Sequence, residues 1–478
     1  MNMNQNKKIF RSGVVFGLLL ILILFTRCNK LLDPGTPPEK VVSPKVYSND
    51  SLAEAAVKGI YASMMQYFGL CNGFMSRYPA FSTDELNRTT FLGQDQAFLN
   101  NSISADNQVV ITVWNGGYNY IYVATDIIDA LPNSTAVSAP MRNQLTGEAC
   151  FLRAMTYFYL INLFGDVPLV LTTDYTKSAV IPRTSVNLVY DQIIADLKQA
   201  QNLLTNAYDT TPDFPNDRVR ANKLSATALL ARVYLYREQW ANAEAAATEV
   251  IQSGLYQLEP NLEQTFLNTS KEAILQFMPV SEAFNTAEGV MFVPYSPIGK
   301  PQMILTDSLL TSIEPGDART AWIRKVTSSG ITYLSPYKYK IPFATPRTEY
   351  NMVLRLAEQF CIRAEALAMQ NKLPEAIADL NTIRQRALLP DLPVLPTQLQ
   401  VLAAIEQERR IEFFAEWGHR WFDLKRWPAR VNNTSNKTRL DEVMNALRPT
   451  FWKPAAALWP IPAVELTRNP FLVQNTGY

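Results

Sequence analysis

The sequence ARVYLYREQWANAEAA at residues 231–246 decides the fold class, because its pattern returns later in the chain. The pattern consists of small and apolar residues at 231, 234, 240, 243, 247 and 250. It recurs 133 positions further on, at 364, 367, 373, 376, 380 and 383. This spacing predicts two helices joined by a tight turn, as in a tetratricopeptide repeat. Alanine at both Ala243 and Ala376 favours close packing of the paired helices.

Two weaker copies of this pattern, at 54–131 and 144–204, extend the repeat toward the N-terminus. Apolar residues recur at three- and four-residue steps through both copies, as expected for amphipathic helices. We therefore predict a mainly α-helical chain, a tetratricopeptide-like α-solenoid of about four helix pairs. An N-terminal region would span 52–215 and a C-terminal region 216–478, both within one compact unit.

Two long stretches, 70–111 and 256–347, interrupt the helical pattern. They mix aromatic residues with Asn, Ser, Thr and Pro, and the one plausible strand in the second runs over Ala273–Met278. Long irregular insertions on a rigid scaffold often carry function. We expect ordered loops and short strands in these insertions, and we look for a binding site there.

The first residues of the chain have the composition of an export signal. Basic residues at positions 7, 8 and 11 precede the apolar run Val14–Phe25. At about 1.5 Å per residue, this run is too short to cross a bilayer as a helix. We predict a signal peptide over 1–27 rather than a membrane span.

Cys28 follows the apolar run closely, in an arrangement similar to the lipobox of bacterial lipoproteins. Arg27 departs from that motif, which has a small residue before the cysteine. We predict lipidation of Cys28 and a proline-rich tether over 28–51; an ordinary secretory signal cleaved nearby is the alternative.

Composition argues against several other classes of protein. The formal net charge is only +1 over 478 residues, so nothing indicates a nucleic-acid partner. With Cys28 lipidated, Cys71, Cys150 and Cys361 remain, an odd number without CxxC or zinc spacing. We predict no disulfide framework, no metal and no cofactor, with Cys150 and Cys361 in the core.

The sequence EQERRIEFFAEWGHRWFDLKRW at 406–427 is dense in charges and rings and contains the only histidine of the chain. Glu412 and Glu416 have i,i+4 spacing, and His419 follows Gly418, the predicted end of the helix. Two carboxylates beside an imidazole could bind a metal or catalyse proton transfer. The alternative is a structural network of ion pairs on a helix that buries its apolar side.

Several segments together resemble the SusD/RagB family of outer-membrane nutrient-binding lipoproteins. They are GEACFLRAMTYFYLINLFGDVPL at 147–169, ARVYLYREQWANAEAA at 231–246, RLAEQFCIRAEALA with PEAIADLNTIRQRA at 355–387, ERRIEFFAEWGHRWFDLKRW at 408–427, and LWPIPAVELTRNPFLVQNTGY at 458–478. The resemblance implies a lipid-anchored cell-surface protein that captures a glycan or other nutrient for a SusC-type TonB-dependent transporter. Such proteins are not enzymes, and their helical side would face the transporter.

The resemblance also changes the interpretation of 406–427. Six of its residues resemble a family signature, namely Arg409, Glu412, Glu416, His419, Arg420 and Asp423. Because family members bind rather than catalyse, we assign these residues a structural role and no catalytic one. The same resemblance places the ligand site in the irregular insertions.

Glycan capture needs exposed rings that stack on sugar faces and polar side chains that bond the hydroxyls. We select Phe91, Tyr295 and Trp322 as stacking residues. As polar partners we select Asn87, Arg88 and Gln94.

The acidic sequence at Ser82–Glu85 resembles one that occurs near the ligand side of the family. A metal site there is conceivable, but adjacent carboxylates on a loop more often form a solvated turn or the start of a helix. We assign no metal to it.

Two other classes of function stay open from the residues alone. A surface glycoside hydrolase would need two carboxylates across a cleft, while the sequence has no GxSxG, HExxH or phosphate-binding loop motif. A tetratricopeptide scaffold would hold a protein partner without a ligand of its own. The aromatic insertions argue against the scaffold, because a plain scaffold does not need them.

Overall fold

A computed structural model describes residues 46–66, 68–90, 93–208, 218–280, 284–296, 298–430 and 437–478. The predicted signal peptide, the lipidation site Cys28 and most of the tether lie outside the described residues. The candidate ligand residue Phe91 also lies outside them.

Helices make up most of the described chain. They are α1 (Asp50–Gln66), α2 (Phe74–Phe81), α3 (Gly93–Leu99), α4 (Gln108–Ala130), α5 (Ala139–Phe164), α6 (Tyr175–Ser178), α7 (Val186–Leu203), α8 (Lys223–Tyr236), α9 (Trp240–Gln252), α10 (Ala287–Phe292), α11 (Asp307–Leu310), α12 (Leu356–Met369), α13 (Leu373–Arg386), α14 (Gln398–Glu412), α15 (His419–Arg426), α16 (Arg439–Leu447) and α17 (Ala463–Arg468). The strands are β1 (Leu86–Arg88), β2 (Val167–Pro168), β3 (Arg183–Thr184), β4 (Ala273–Phe277), β5 (Met303–Leu305), β6 (Ile323–Ser328), β7 (Ile331–Pro336) and β8 (Asn351–Arg355).

The long helices pack in successive pairs, which confirms the predicted solenoid. Helix α1 packs on α4, α5 on α7, α8 on α9, and α12 on α13. Each pair also contacts the next one, through α4 with α5, α7 with α8, and α9 with α12. Helix α14 closes the series against both α12 and α13. These pairs correspond to the four repeat copies read from the sequence.

Small residues allow the close approach of these helices, as the repeat pattern predicted. Ala243 and Ala376 are fully buried, each inside a small cluster of alanine and branched side chains. A methyl group at these positions lets the ridges of one helix enter the grooves of its neighbour. Cys150 and Cys361 are buried and free, as predicted, and so is Cys71.

The ends of the helices follow local chemistry. At the start of α8, the side chain of Asn222 accepts the backbone N–H of Ser225 at 2.8 Å, and the side chain of Ser225 accepts that of Asn222 in return. Thr397 and Gln400 form the same pair of hydrogen bonds at the start of α14. Gly165 ends α5 with φ 73°, a conformation that glycine adopts without a steric penalty.

The two insertions are more regular than the sequence indicated. The first contains α2, β1 and α3, and the prediction of a loop-rich excursion there was wrong for these segments. Pro79 lies within α2, and both helices are short, so neither shows a helical period in the sequence. Strand β4 of the second insertion pairs with β8, which follows the insertion, and this confirms the strand predicted at Ala273–Met278.

Short two-stranded sheets shape the rest of the second insertion. Strand β5 returns to pair with β1 of the first insertion, so the two insertions meet in space. Strands β6 and β7 form a hairpin with Ser329 and Gly330 at its turn, both at positive φ as a tight two-residue turn requires. Within the described residues, no helix is both long and apolar enough to cross a membrane.

Candidate functional site

The dense sequence at 406–427 does not form one helix. Helix α14 ends at Glu412, the backbone turns through residues of positive φ at Ala415, Trp417 and Gly418, and α15 then begins. Gly418 therefore precedes a helix, and the prediction that it ends one was wrong. Glu416 lies in the turn, so the predicted helical i,i+4 relation to Glu412 does not exist.

Glu412 instead lies at the centre of a buried group of ion pairs. Its carboxylate accepts from Arg355 at 2.5 Å, from Arg319 at 3.2 Å, and from Arg386. Arg355 also pairs with Glu416 at 2.7 Å and with Glu272 at 2.8 Å. We call this set, together with Glu408 and Lys338, the buried charge network.

The charges of this network fix its protonation. Burial alone would raise the pKa of Glu412, but the guanidinium groups of Arg386, Arg355 and Arg319 hold it well below its usual range. Burial would also raise the pKa of Glu416, but the positive charges of Arg355 and Lys338 outweigh it, and the pKa is lowered. Both side chains are thus carboxylates whose lone pairs are taken up by the protein, with little capacity left for a ligand.

The remaining signature residues are also buried and engaged. Arg409 pairs with Asp423 at 2.6 Å, and Arg420 pairs with Asp84 at 2.9 Å. His419 packs its ring against Phe413, with 4.7 Å between ring centroids. Burial, with nearby arginines, holds the pKa of His419 well below its usual range, so the ring is neutral at pH 7. This arrangement supports the structural role that we assigned to the signature.

Trp322 belongs to the same buried region, and its selection as a stacking residue was wrong. Its side chain is fully buried and its indole N–H donates to the carbonyl of Leu262 at 3.1 Å. Phe266 packs edge-on against the ring, and the cationic groups of Lys338 and Arg386 lie 5.2 and 5.7 Å from its centroid. With both faces covered by protein, the ring has none to offer a sugar.

The acidic sequence Ser82–Glu85 is buried, so the expectation of a solvated turn there was also wrong. Asp84 pairs with Arg420 and, at 2.6 Å, with Arg410, and these charges bring its pKa to about 2 against the effect of burial. Burial and the adjacent Asp84 raise the pKa of Glu85 to about 8. Across the described residues, no group of three or more His, Cys, Asp or Glu side chains is arranged to hold a metal ion.

A contrasting group of rings lies on the surface of the second insertion. Tyr295 is 92% exposed, and its ring centroid lies 6.0 Å from that of Phe343. Phe343 lies 5.5 Å from Phe284, and both are exposed by 40% or more. We call these three rings the aromatic surface. Ile298 and Ile341, also exposed, extend its apolar character.

Buried polar side chains hold the segments that carry Phe284 and Phe343. Asn285, next to Phe284, donates through its side-chain amide to the carbonyl of Ile341 at 2.7 Å and accepts the N–H of Thr348 at 3.1 Å. The carboxylate of Glu349 accepts the N–H groups of Lys340 and Ile341 at 2.7 and 3.1 Å. These two rings therefore lie on segments that are held by internal hydrogen bonds, which reduces the entropy lost on binding.

Two of the polar candidates, Asn87 and Arg88, lie on β1, which pairs with β5. Asn87 is exposed on β1 and faces Ile304 of β5. Gln94 is exposed at the start of α3. Arg88 is already engaged, because its side chain is 4% exposed and pairs with Asp95. Asn87 and Gln94 remain available to a ligand, whereas Arg88 would first have to leave its ion pair.

Sequence reasoning missed Phe284 and Phe343 as members of the site. A usable signal was present, since Phe343 and Tyr295 both follow a proline and stand outside any periodic apolar pattern.

A cavity lies on the helical frame, away from the aromatic surface. A cavity of about 740 Å³ opens between the ends of α8, α12 and α15 and the starts of α9 and α14. Its lining is mostly apolar, with Trp240, Leu399 and Trp427, and includes the charged residues Glu365 and Arg426. These two are paired with each other at 2.7 Å. The cavity has the size of a small-molecule or peptide pocket.

The helical frame with two meeting insertions defines a SusD-type fold, and comparison with known families agrees. The model of the SusD family matches residues 259–478. A second model, described as "Starch-binding associating with outer membrane", matches residues 47–235. Together they span most of the described chain, and the protein belongs to the SusD/RagB family.

Relatives match over nearly the whole length. A SusD-like protein of Formosa agariphila is 24% identical over 534 residues, covering 99% of this chain and 100% of the relative. A SusD-like protein of Bacteroides ovatus is 25% identical over 491 residues, covering 88% of this chain and 83% of the relative.

Solved structures share the fold. A SusD homolog from Bacteroides thetaiotaomicron has a TM-score of 0.76 at 19% identity, covering 91% of this chain and 98% of its own. A SusD-like carbohydrate binding protein from Bacteroides vulgatus has a TM-score of 0.67 at 20% identity, covering 80% and 84%.

Proposed function

We propose that this protein binds a glycan at the aromatic surface and delivers it to a SusC-type TonB-dependent transporter in the outer membrane. The observation that carries the proposal is the trio of neighbouring rings at Phe284, Tyr295 and Phe343, with Tyr295 92% exposed. A contiguous group of exposed rings often marks a binding site, whereas single exposed apolar residues are common. Sugar rings offer apolar C–H faces of matching size.

Family membership supports this role. One matching family model is described as starch-binding, and one protein of similar fold is named as carbohydrate binding. The two exposed polar candidates, Asn87 and Gln94, would bond sugar hydroxyls beside the rings. A binding protein also suits a chain whose densest group of carboxylates is buried and paired rather than open to a substrate.

Delivery to a transporter requires that the protein stays at the membrane. We propose that lipid on Cys28 anchors it to the outer membrane and that residues up to about 51 act as the tether. The outer-membrane description of the family model supports this location. Labelling with a fatty-acid analogue should mark the wild-type chain in cells, and Cys28→Ser should abolish the label and release the protein from membranes.

The test of glycan binding is a titration with the purified protein lacking its signal peptide. A glycan array identifies ligands, and isothermal calorimetry then compares wild type with Tyr295→Ala. We expect Tyr295→Ala to weaken binding. The matched control is Tyr175→Ala, because Tyr175 is also highly exposed, at 77%, but lies on α6 outside both insertions. An array without any bound glycan would refute the proposal.

A protein-interaction scaffold is the second candidate function, and the 740 Å³ cavity on the helical frame favours it. Grooves in tetratricopeptide folds commonly accept a peptide or helix. Glycan binding by the isolated protein separates the two functions, because a plain scaffold would bind no glycan at all.

A further inference from the structure

The charged side chains around the aromatic surface are unevenly distributed. In the described parts of 284–305 and 323–350, the acidic residues are Glu288 and Glu349, and both are buried. Glu288 accepts from Ser76 and Asn351, and Glu349 binds backbone N–H groups. Neither carboxylate contributes a negative charge to the surface.

Basic side chains do reach the surface in the same segments. Lys300 and Lys325 are exposed, and Arg324, Lys340 and Arg347 are half-buried. Lys340 pairs with Glu263, which lies outside these segments. The whole chain has a formal net charge of only +1, so this local excess is not a consequence of a basic composition.

Lys300 connects the segment that carries Tyr295 with the end of β1 in the first insertion. It follows Tyr295 by five residues, and its ammonium donates to the carbonyl of Thr89, two residues beyond Asn87, at 2.9 Å. The same ammonium lies 5.6 Å from the ring centroid of Tyr333 on β7. Among the described residues, no carboxylate forms an ion pair with it. A carbonyl and a ring face leave its full positive charge uncompensated.

This placement has a consequence for a bound sugar. When a sugar ring stacks on an aromatic side chain, the substituents of the sugar project sideways, toward the rim of the aromatic surface. At this rim a cation can reach a carboxylate or sulfate group of the sugar and form a charge-assisted hydrogen bond. Several basic side chains on one surface would also attract an anionic polymer at long range.

We propose that the ligand of the aromatic surface is an anionic glycan, bearing carboxylate or sulfate groups, and that Lys300 contacts the anionic group. This inference rests on the proposed glycan-binding function and adds the chemical class of the ligand. A neutral glycan would satisfy the rings but give the ammonium of Lys300 no anionic partner.

The test compares charged probes with neutral versions of the same polymers. Oligosaccharides of polygalacturonate, alginate and carrageenan are titrated against the purified protein, beside their carboxyl-reduced or desulfated counterparts and neutral xylan and glucan oligosaccharides. We expect at least one acidic probe to bind and its neutralised counterpart to bind roughly tenfold more weakly. Carboxyl reduction and desulfation distinguish the two sources of charge.

Substitution then locates the contact. Lys300→Gln should weaken binding of the acidic probe roughly tenfold and leave the affinity for any neutral probe unchanged. The affinity of the wild-type protein for the acidic probe should fall as the salt concentration rises. Lys177→Gln is the matched control, since Lys177 is exposed at 74% of its side chain and lies on α6. Unfolding by urea, measured for both variants, should give wild-type stability.

The outcomes separate this inference from the function on which it rests. Binding of neutral glycans alone would overturn the anionic ligand and leave the glycan-binding function standing. Binding of acidic probes that both Lys300→Gln and Tyr295→Ala leave unchanged would overturn the site. If neither acidic nor neutral probes bind, the proposed function fails, and the inference with it.

Discussion

The buried charge network and the aromatic surface contain similar residue types in opposite environments. The network surrounds Glu412 with guanidinium groups and covers the ring of Trp322 with cations and protein. The aromatic surface leaves Tyr295 in water, and Lys300, five residues further along, has no carboxylate partner among the described residues. A dense cluster of charges and rings is thus not by itself a sign of function. What distinguishes the two regions is whether their polar groups and ring faces are already satisfied within the protein.

The largest loss of stability is expected on substitution of Glu412, in the buried charge network. Glu412→Gln keeps the shape of the side chain and removes the charge that Arg355 and Arg386 face. We expect the free energy of unfolding in urea to fall by about 3–5 kcal/mol, because buried cations lose their counterion. Glu375→Gln, at an exposed position on α13, is the control and should have wild-type stability. If Glu412→Gln kept wild-type stability but lost glycan binding, the ligand site would instead lie in the buried charge network.

Trp322→Ala tests whether the ring of Trp322 belongs to the core rather than to the ligand site. A large side chain is removed from a packed interior, and unfolding free energy should fall by about 3–5 kcal/mol. The fraction that remains folded should bind glycan with wild-type affinity in calorimetry at low temperature. A stable variant with weakened binding would instead return Trp322 to the ligand site.

The pH dependence of stability tests the pairing of Asp84 with Arg410 and Arg420. Its pKa is about 2 in the folded protein and near 3.8 when unpaired, so the carboxylate stabilises the fold above about pH 4. That contribution, about 2 kcal/mol, is lost as the pH falls through about 2. Wild type and Asp84→Asn should therefore differ in urea-unfolding free energy at pH 5 and converge toward pH 2. A difference that does not vary with pH would contradict the ion pairs.

Tyr295→Ala should produce the smallest change in stability and the clearest change in binding. Because the ring is exposed, unfolding free energy should change by no more than about 0.5 kcal/mol. Loss of one stacking contact, worth on the order of 1 kcal/mol, should weaken glycan affinity roughly fivefold. Tyr295→Phe keeps the ring and should retain most of the affinity. Equal affinity for wild type and Tyr295→Ala would remove Tyr295 from the site.

The helical frame could be predicted from the sequence because its information is local and repeated. Each helix pair is specified by a 3.6-residue apolar period and by small residues such as Ala243 and Ala376 at the contact. The same periodicity is missing from α2, where Pro79 and the short length obscure it, so the first insertion was predicted less well.

Only the tertiary structure decided which charges and rings are available. Glu412 meets Arg319, Arg355 and Arg386, which are 26 to 93 residues away in the chain, and no local pattern records such pairs. Tyr295 and Trp322 are both aromatic residues in the second insertion, yet one is exposed and the other is covered. The sequence determined the repeats and the family because these depend on local periodicity and short motifs. Burial and pairing depend on distant parts of the chain, so the site had to come from the folded protein.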